Sequence, residues 1–246
     1  MNSLNNQSIM QTKVQLLSIE GNIGSGKSTL LANLERHYKN TDNDSIIFLK
    51  EPVDEWATIR DENGITMLEK FYENQNKYSF AFQMMAYISR LSAIKSAIVE
   101  KKRCEEIDRQ QINKKIIIIT ERSLFTDKMV FAQMLYDSGS MEHIQHQIYL
   151  KWFDSFADEY PVSKVVYVKT SPSVCYDRIS KRSRAGENQI PLEYLDQCDL
   201  YHEKMLSDPS FTKNQLILDG NIDIYENKIE LNEWIQKIDE FIHLNI

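Results

Sequence analysis

Residues 21 to 28 read Gly21-Asn22-Ile23-Gly24-Ser25-Gly26-Lys27-Ser28 and satisfy every fixed position of the phosphate-loop pattern G-x-x-x-x-G-K-[ST]. The flanks agree with it. Residues 14–19 are apolar and read as a buried strand, and residues 29–36 carry apolar side chains on one helical face. A strand that turns through glycines into a helix aims several backbone N–H groups and the positive helix end at one point. Thr29 opens that helix and belongs to the same nucleotide-binding set. Lys27 has the reach for β- and γ-phosphates, and the Ser28 hydroxyl suits Mg²⁺. The motif therefore predicts a bound nucleoside triphosphate and leaves the acceptor of its phosphoryl group open.

Five short β-rich segments, 14–19, 45–50, 115–120, 164–169 and 215–219, alternate with long stretches of helical periodicity. This alternation predicts an α/β fold with a five-stranded parallel sheet covered by helices on both faces. The 246 residues show no linker rich in Gly, Pro or Ser. The expected organisation is a polar, disordered tail over 1–13 and a single domain over 14–246, with a mobile lid at about 178–190. A net charge of −7 argues against a nucleic-acid polymer as partner. No apolar run reaches membrane-spanning length, and the tail lacks the features of a signal or transit peptide. Cys104, Cys175 and Cys198 are widely spaced, which suits a reducing, cytoplasmic setting and no zinc site. His143 and His146 are expected to be solvated surface residues.

In open parallel sheets the ligand site lies beyond the carboxyl ends of the strands, so the residues after each strand carry the most information. Glu51-Pro52 follows the second strand, and Glu51 is placed to accept a hydroxyl proton from an acceptor. Trp56 reads either as core or as an apolar wall over a sugar or base. Gln83, Ala86 and Arg90 share one face of a long helix. Spacing alone leaves two readings of that face, a base-reading surface or an exposed polar stripe. Glu121 follows the third strand, where a carboxylate serves Mg²⁺ in phosphate-loop enzymes. Arg122 adds positive charge there, and Ser123 is a helix N-cap with Asp127 and Phe131 on the helix that follows. Arg178 and Arg182 are i, i+4 neighbours in a basic run that ends at Arg184, and their like charges predict an anion between them rather than a solvated basic turn; Gly186 and Pro191 bound the run as they would a mobile lid. Asp219-Gly220-Asn221-Ile222-Asp223 forms a loop at the same sheet edge.

In these residues the chain resembles the deoxyribonucleoside kinase family, over nearly its whole length after about residue 14. The phosphate loop, Glu51-Pro52-Val53 with Trp56, residues 80–90, Glu121-Arg122-Ser123 and the lid up to Pro191-Leu192-Glu193-Tyr194-Leu195 occur in the family's order. The resemblance implies a phosphate-loop kinase fold, ATP and Mg²⁺ as cofactors, transfer to the 5′-hydroxyl of a deoxynucleoside, and a homodimer. It implies that Glu51 is the base on that hydroxyl with Arg122 beside it, and that Glu121 and Ser28 serve the metal. Tyr72 and Glu187 correspond to the residues on the sugar 3′-hydroxyl, and Gln83 to the reader of the base's pairing edge. Phe82, Phe131 and Trp56 correspond to the base slot, the three lid arginines to the phosphoryl contacts, and residues 219–223 to the loop at the donor's adenine. Arg90 and Asp127 resemble the charged pair of the deoxycytidine, deoxyadenosine and deoxyguanosine branch, so thymidine is not the expected substrate. Gly186 departs from the family's pattern of two adjacent lid acids. Two other functions fit the phosphate loop: a nucleoside monophosphate kinase, which the acids Asp54 and Glu55 disfavour, and a non-catalytic nucleotide-binding subunit.

Overall fold

The computed structural model describes residues 14–39, 46–107, 115–182 and 190–244. In chain order the elements are β1 (Val14–Glu20), α1 (Lys27–Lys39), β2 (Ile46–Leu49), α2 (Val53–Trp56), α3 (Met67–Glu73), α4 (Gln75–Ile107) and β3 (Ile116–Glu121). Then come α5 (Leu124–Thr126), a π-helical stretch (Asp127–Ala132), α6 (Gln133–Asp137), α7 (His143–Phe156), β4 (Val162–Lys169), α8 (Pro172–Arg182), α9 (Leu192–Ser207), β5 (Gln215–Asp219) and α10 (Lys228–His243). The five strands form one sheet in the order β2-β3-β1-β4-β5, and every neighbouring pair is parallel.

The strands read as unbroken apolar runs because both of their faces are covered. Successive side chains alternate between two cores, as the strand period of two requires. Leu16, Ile116, Ile118, Val165 and Tyr167 join the core on one side, which includes Tyr87, Ile94, Tyr149 and Cys198 from α4, α7 and α9. Leu17, Ile19, Ile117, Ile119, Val166 and Val168 join the other, with Leu30, Leu31 and Leu34 of α1 and Trp234 and Ile238 of α10. Local signals start the helices. Thr66 and Glu69 form a reciprocal capping box on α3, and Asn227 accepts from the Glu230 amide at the start of α10.

The strand order reverses beside β1, so the crevice at the sheet's carboxyl edge opens where β1 runs into the phosphate loop. Gly24 sits at φ +80°, and a Cβ there would lie 2.7 Å from the Cys175 carbonyl oxygen. A side chain at this position would push α8 off the loop. The histidine expectation is corrected in part. His143 is exposed, but His146 is 6% exposed and stacks on Tyr136 at 4.2 Å between centroids. Facing inward on α7, it loses solvation, and burial lowers its basicity. Among the described residues no group of three or more His, Cys, Asp and Glu is arranged to hold a metal, and no helix is long and apolar enough to cross a membrane.

Candidate active site

A cavity of about 280 Å³ opens at the carboxyl edge of the sheet, lined by residues from the phosphate loop, α2, α3, α4, the β3 end, the π-helical stretch, α8 and the segment before α10. Its floor is the phosphate loop. Lys27 is buried and its Nζ donates to the Asn22 carbonyl at 2.6 Å. Burial, reinforced by the charge of Arg122, pulls the Lys27 ammonium down to about 7. Asn22 and Gly21 do not line the cavity; they brace it. The Asn22 amide accepts from the Ile23 N–H and donates to the Leu195 carbonyl of α9, and the Gly21 carbonyl accepts from Arg122. Ser28 Oγ donates to Glu121 Oε1 at 2.6 Å. A hydroxyl and a carboxylate oxygen thus meet beside the loop, the donor type that Mg²⁺ takes when it keeps most of its shell from phosphates and water.

Glu51 lies between two arginines. Its Oε1 is 3.2 Å from Arg90 Nη2 and 3.2 Å from Arg122 Nε. Burial favours the neutral acid, but Arg122, Arg90 and Lys27 outweigh it and hold the Glu51 carboxyl below its ordinary value. Arg122 is the one described non-glycine residue with positive φ, at 64°. That left-handed backbone turns its side chain back over the sheet edge, with the guanidinium 4.9 Å from the centre of the Phe131 ring.

Gln83, Ala86 and Arg90 are all buried and all line the cavity, which decides between the two readings of their face. Arg90 holds Asp127 with two bonds, Nε to Oδ2 at 3.0 Å and Nη2 to Oδ1 at 3.4 Å, and donates Nη1 to the Glu121 carbonyl at 2.7 Å. Burial pushes the Asp127 carboxyl up while Arg90 opposes it. Gln83 is 2% exposed, and its Oε1 has no hydrogen-bond partner. The π-helical turns begin at Asp127; such local widening concentrates at functional sites. Trp56 is both core and wall: its Nε1 donates to Ser89 Oγ at 2.8 Å, and Phe82 packs edge-on against it. Tyr72 and Phe131 also line the cavity.

On the other side stand Arg178, Arg182, Ile222 and Asp223. Arg178 donates to the carbonyls of Ser25, Gly220 and Ile222 at 3.3, 2.8 and 3.4 Å, so it ties the phosphate loop to the loop after β5. Asp219, Gly220 and Asn221 lie behind that wall; Asn221 Oδ1 accepts from Ser171. Arg184, Gly186 and Glu187 lie outside the described residues. Sequence alone does not assign several other lining residues to the site: Leu68, Phe71 and Tyr194, and, near Asp223, Ile224, Tyr225 and the buried Trp234. His202, outside the lining, touches Arg122 Nη1. Nothing local marks these residues, because each reaches the site through the fold.

A family model described as deoxynucleoside kinase matches residues 17–243. Deoxycytidine kinase 2 of Gallus gallus is 29% identical, covering 96% of this chain and 93% of its own length. Human deoxycytidine kinase is 30% identical, with 94% and 92% covered. The mitochondrial thymidine kinase 2 of Macaca fascicularis is also 30% identical, over 79% of this chain and 65% of its own length.

Proposed function

The chain belongs to the deoxynucleoside kinase family, an ATP-dependent phosphotransferase family, and from that premise we propose that its acceptor is a purine deoxynucleoside or deoxycytidine rather than thymidine. Relatives named for deoxycytidine and for thymidine match it about equally in identity, so the preference rests on the cavity. The observation that carries it is the buried Arg90–Asp127 pair with the unpartnered Gln83 oxygen beside it. Such a pair offers fixed donors and an acceptor to exocyclic groups. It also fills with desolvated charge the space that a thymine methyl would take. Family membership sets aside the monophosphate kinase and the non-catalytic subunit.

In this reading residues 14–246 form one kinase domain, and it is cytoplasmic. The base lies between Phe82, Trp56 and Phe131 with its pairing edge at Gln83, and Tyr72 and Glu187 hold the sugar 3′-hydroxyl. The donor's phosphates sit on the loop from Gly21 to Thr29, with Lys27 on the β- and γ-phosphates and its adenine near residues 219–223. Mg²⁺, fitted by Ser28 and Glu121, neutralises phosphate charge when bound. Glu51 orients the 5′-hydroxyl and takes its proton late, and Arg122 and the lid residues Arg182 and Arg184 stabilise the transferring group. Arg178, held on three carbonyls, shapes the donor side.

Gln83→Leu tests the base reading. It keeps the volume and removes the amide, leaving the base's polar edge unpaired. The expected result is a fall of roughly 10- to 100-fold in kcat/KM for the nucleoside, with the KM for ATP within about twofold. Unchanged nucleoside kinetics would place the base elsewhere.

Lys27 supplies a second test. Its ammonium is held near 7 in the free protein, and phosphate charge raises it. The group is protonated in the complex and largely neutral in the free protein above pH 7. ATP binding therefore takes up a proton at pH values above about 7, and affinity falls as pH rises from there toward the raised value in the complex. Calorimetry in buffers of different ionisation enthalpy reads the uptake directly; no proton exchanged would show that the Lys27 ammonium already carries its charge in the free protein.

We also propose a homodimer. Ile144, Ile148 and Trp152 recur every fourth residue on α7, are 62%, 42% and 51% exposed, and form a stripe next to α4, where Ile88 and Val99 are exposed too. An apolar stripe over about two turns, beside a packed neighbouring helix that also exposes apolar side chains, suits a self-complementary two-fold contact. Ile148→Lys with Trp152→Glu should give a monomer in sedimentation velocity where the unaltered chain is a dimer. A monomer in both would exclude the proposal.

A further inference from the structure

We propose that His202 is a positioning residue for phosphoryl transfer, acting through Arg122; the inference rests on the reading of Glu51 and Arg122 given above. His202 stands on α9, 80 residues from Arg122 in sequence, and has no exposed surface. Its Nδ1 lies 2.6 Å from the Cys198 carbonyl of the preceding helical turn. A carbonyl accepts only, so Nδ1 carries the proton. Nε2 then keeps its lone pair, and it faces Arg122 Nη1 at 3.3 Å. Burial and the neighbouring Arg122 charge both hold the ring neutral, which keeps that acceptor available.

Arg122 needs such a support. An arginine side chain is long and rotamer-rich, and here it leaves a backbone at φ +64° that few side chains adopt. Four contacts fix it. Nη1 donates to the Gly21 carbonyl at 2.9 Å and to His202, Nε meets Glu51, and the guanidinium lies over Phe131. The Gly21 and His202 contacts are both on Nη1, on the far side of the guanidinium from the Glu51 contact. They fix the plane in which Nε points at the carboxylate. The Phe131 ring completes the clamp, standing edge-on to His202 at 6.3 Å. The same helix, α9, also accepts from Asn22 of the phosphate loop through its Leu195 carbonyl. One helix thus registers both the loop that cradles the donor and the arginine beside the acceptor's base. His202 touches neither substrate in this arrangement; it sets the aim of a group that does.

The test is a set of four variants, His202→Phe, His202→Gln, Arg122→Ala and His202→Gln with Arg122→Ala, each read by kcat, by KM for both substrates and by thermal unfolding. Phe keeps a ring and removes the acceptor, whereas Gln restores an acceptor at the reach of Nε2. The expected result for His202→Phe is a kcat roughly 10-fold or more lower, since misplacement on the order of 1 Å costs up to about 10²-fold. KM should stay within about twofold for both substrates. His202→Gln should keep most of the activity, and on an Arg122→Ala background it should cost nothing further. If Arg122→Ala is impaired and His202→Phe turns over like the unaltered chain, the inference fails and the reading of Arg122 stands. If Arg122→Ala itself is unimpaired, that reading fails and takes the inference with it. Should His202→Phe not fold, His202→Asn takes its place, since it keeps a donor for the Cys198 carbonyl and ends short of Arg122: a kcat equal to that of the unaltered chain overturns the proposal.

Discussion

Glu51→Gln lowers kcat by roughly 10²-fold or more, the range for losing a positioned general base, and leaves nucleoside binding close to that of the unaltered chain. The amide keeps the shape and one oxygen toward Arg90 and Arg122, so the cavity wall survives. It cannot take the proton of the 5′-hydroxyl. It also removes the negative charge that two buried arginines share, both 3.2 Å from one oxygen. The pH profile follows from the same contacts. The arginines hold the Glu51 carboxyl below its ordinary value, so it is ionised throughout the neutral range. Activity that depends on it is fully present above the ordinary carboxylate range and is lost as pH falls through the lowered value. Steady-state kinetics on the variant decide the matter. Turnover equal to that of the unaltered chain would reduce Glu51 to a loop acid that pairs arginines.

Arg90→Met with Asp127→Ala shifts preference toward thymidine by roughly 10²-fold or more relative to the native substrate, because a lost polar reading outweighs a methyl group. The structure refines what each single change does. Arg90→Met alone strands the Asp127 carboxylate, 2% exposed, without its cation, and harms every substrate. Asp127→Ala alone leaves Arg90 on Glu51 and on the Glu121 carbonyl, so its charge stays paired. The double change empties the slot of both charges but also takes one of two arginines from Glu51. A lower overall kcat should therefore accompany the changed preference. The ratio of kcat/KM values isolates the base effect, since the loss at Glu51 is common to all nucleosides. An unmoved ratio would show that the pair does not read the base.

The parts legible in the sequence are those written in local chemistry. The phosphate loop is a contiguous pattern, and the five strands stand out as apolar runs because the parallel sheet buries both of their faces. Gln83, Ala86 and Arg90 could be grouped by helical period, but whether that face meets solvent or a cavity depends on α3 and the π-helical stretch packing over it. The bond from Arg90 to Glu51 joins residues 39 apart, and no pattern encodes it. Arg122 announced a charge but not a left-handed backbone, since that conformation is imposed by its contacts with the Ile19 carbonyl, Gly21 and His202. The spacing of Arg178 from Arg182 predicts an anion contact, and what it does not show is the three carbonyls that hold Arg178 at the cavity wall. His146 read as solvated because helical spacing shows which residues share a face and not which face packs.

The most direct measurement is kcat/KM with ATP for deoxycytidine, deoxyadenosine, deoxyguanosine and thymidine, with the site of the new phosphate ester assigned by NMR. The expected products are 5′-monophosphates, with at least one of the first three nucleosides preferred over thymidine by roughly 10²-fold or more. Thymidine as the equal or better substrate would overturn the reading of the Arg90–Asp127 pair, and phosphate on any other position would overturn the placing of the 5′-hydroxyl at Glu51.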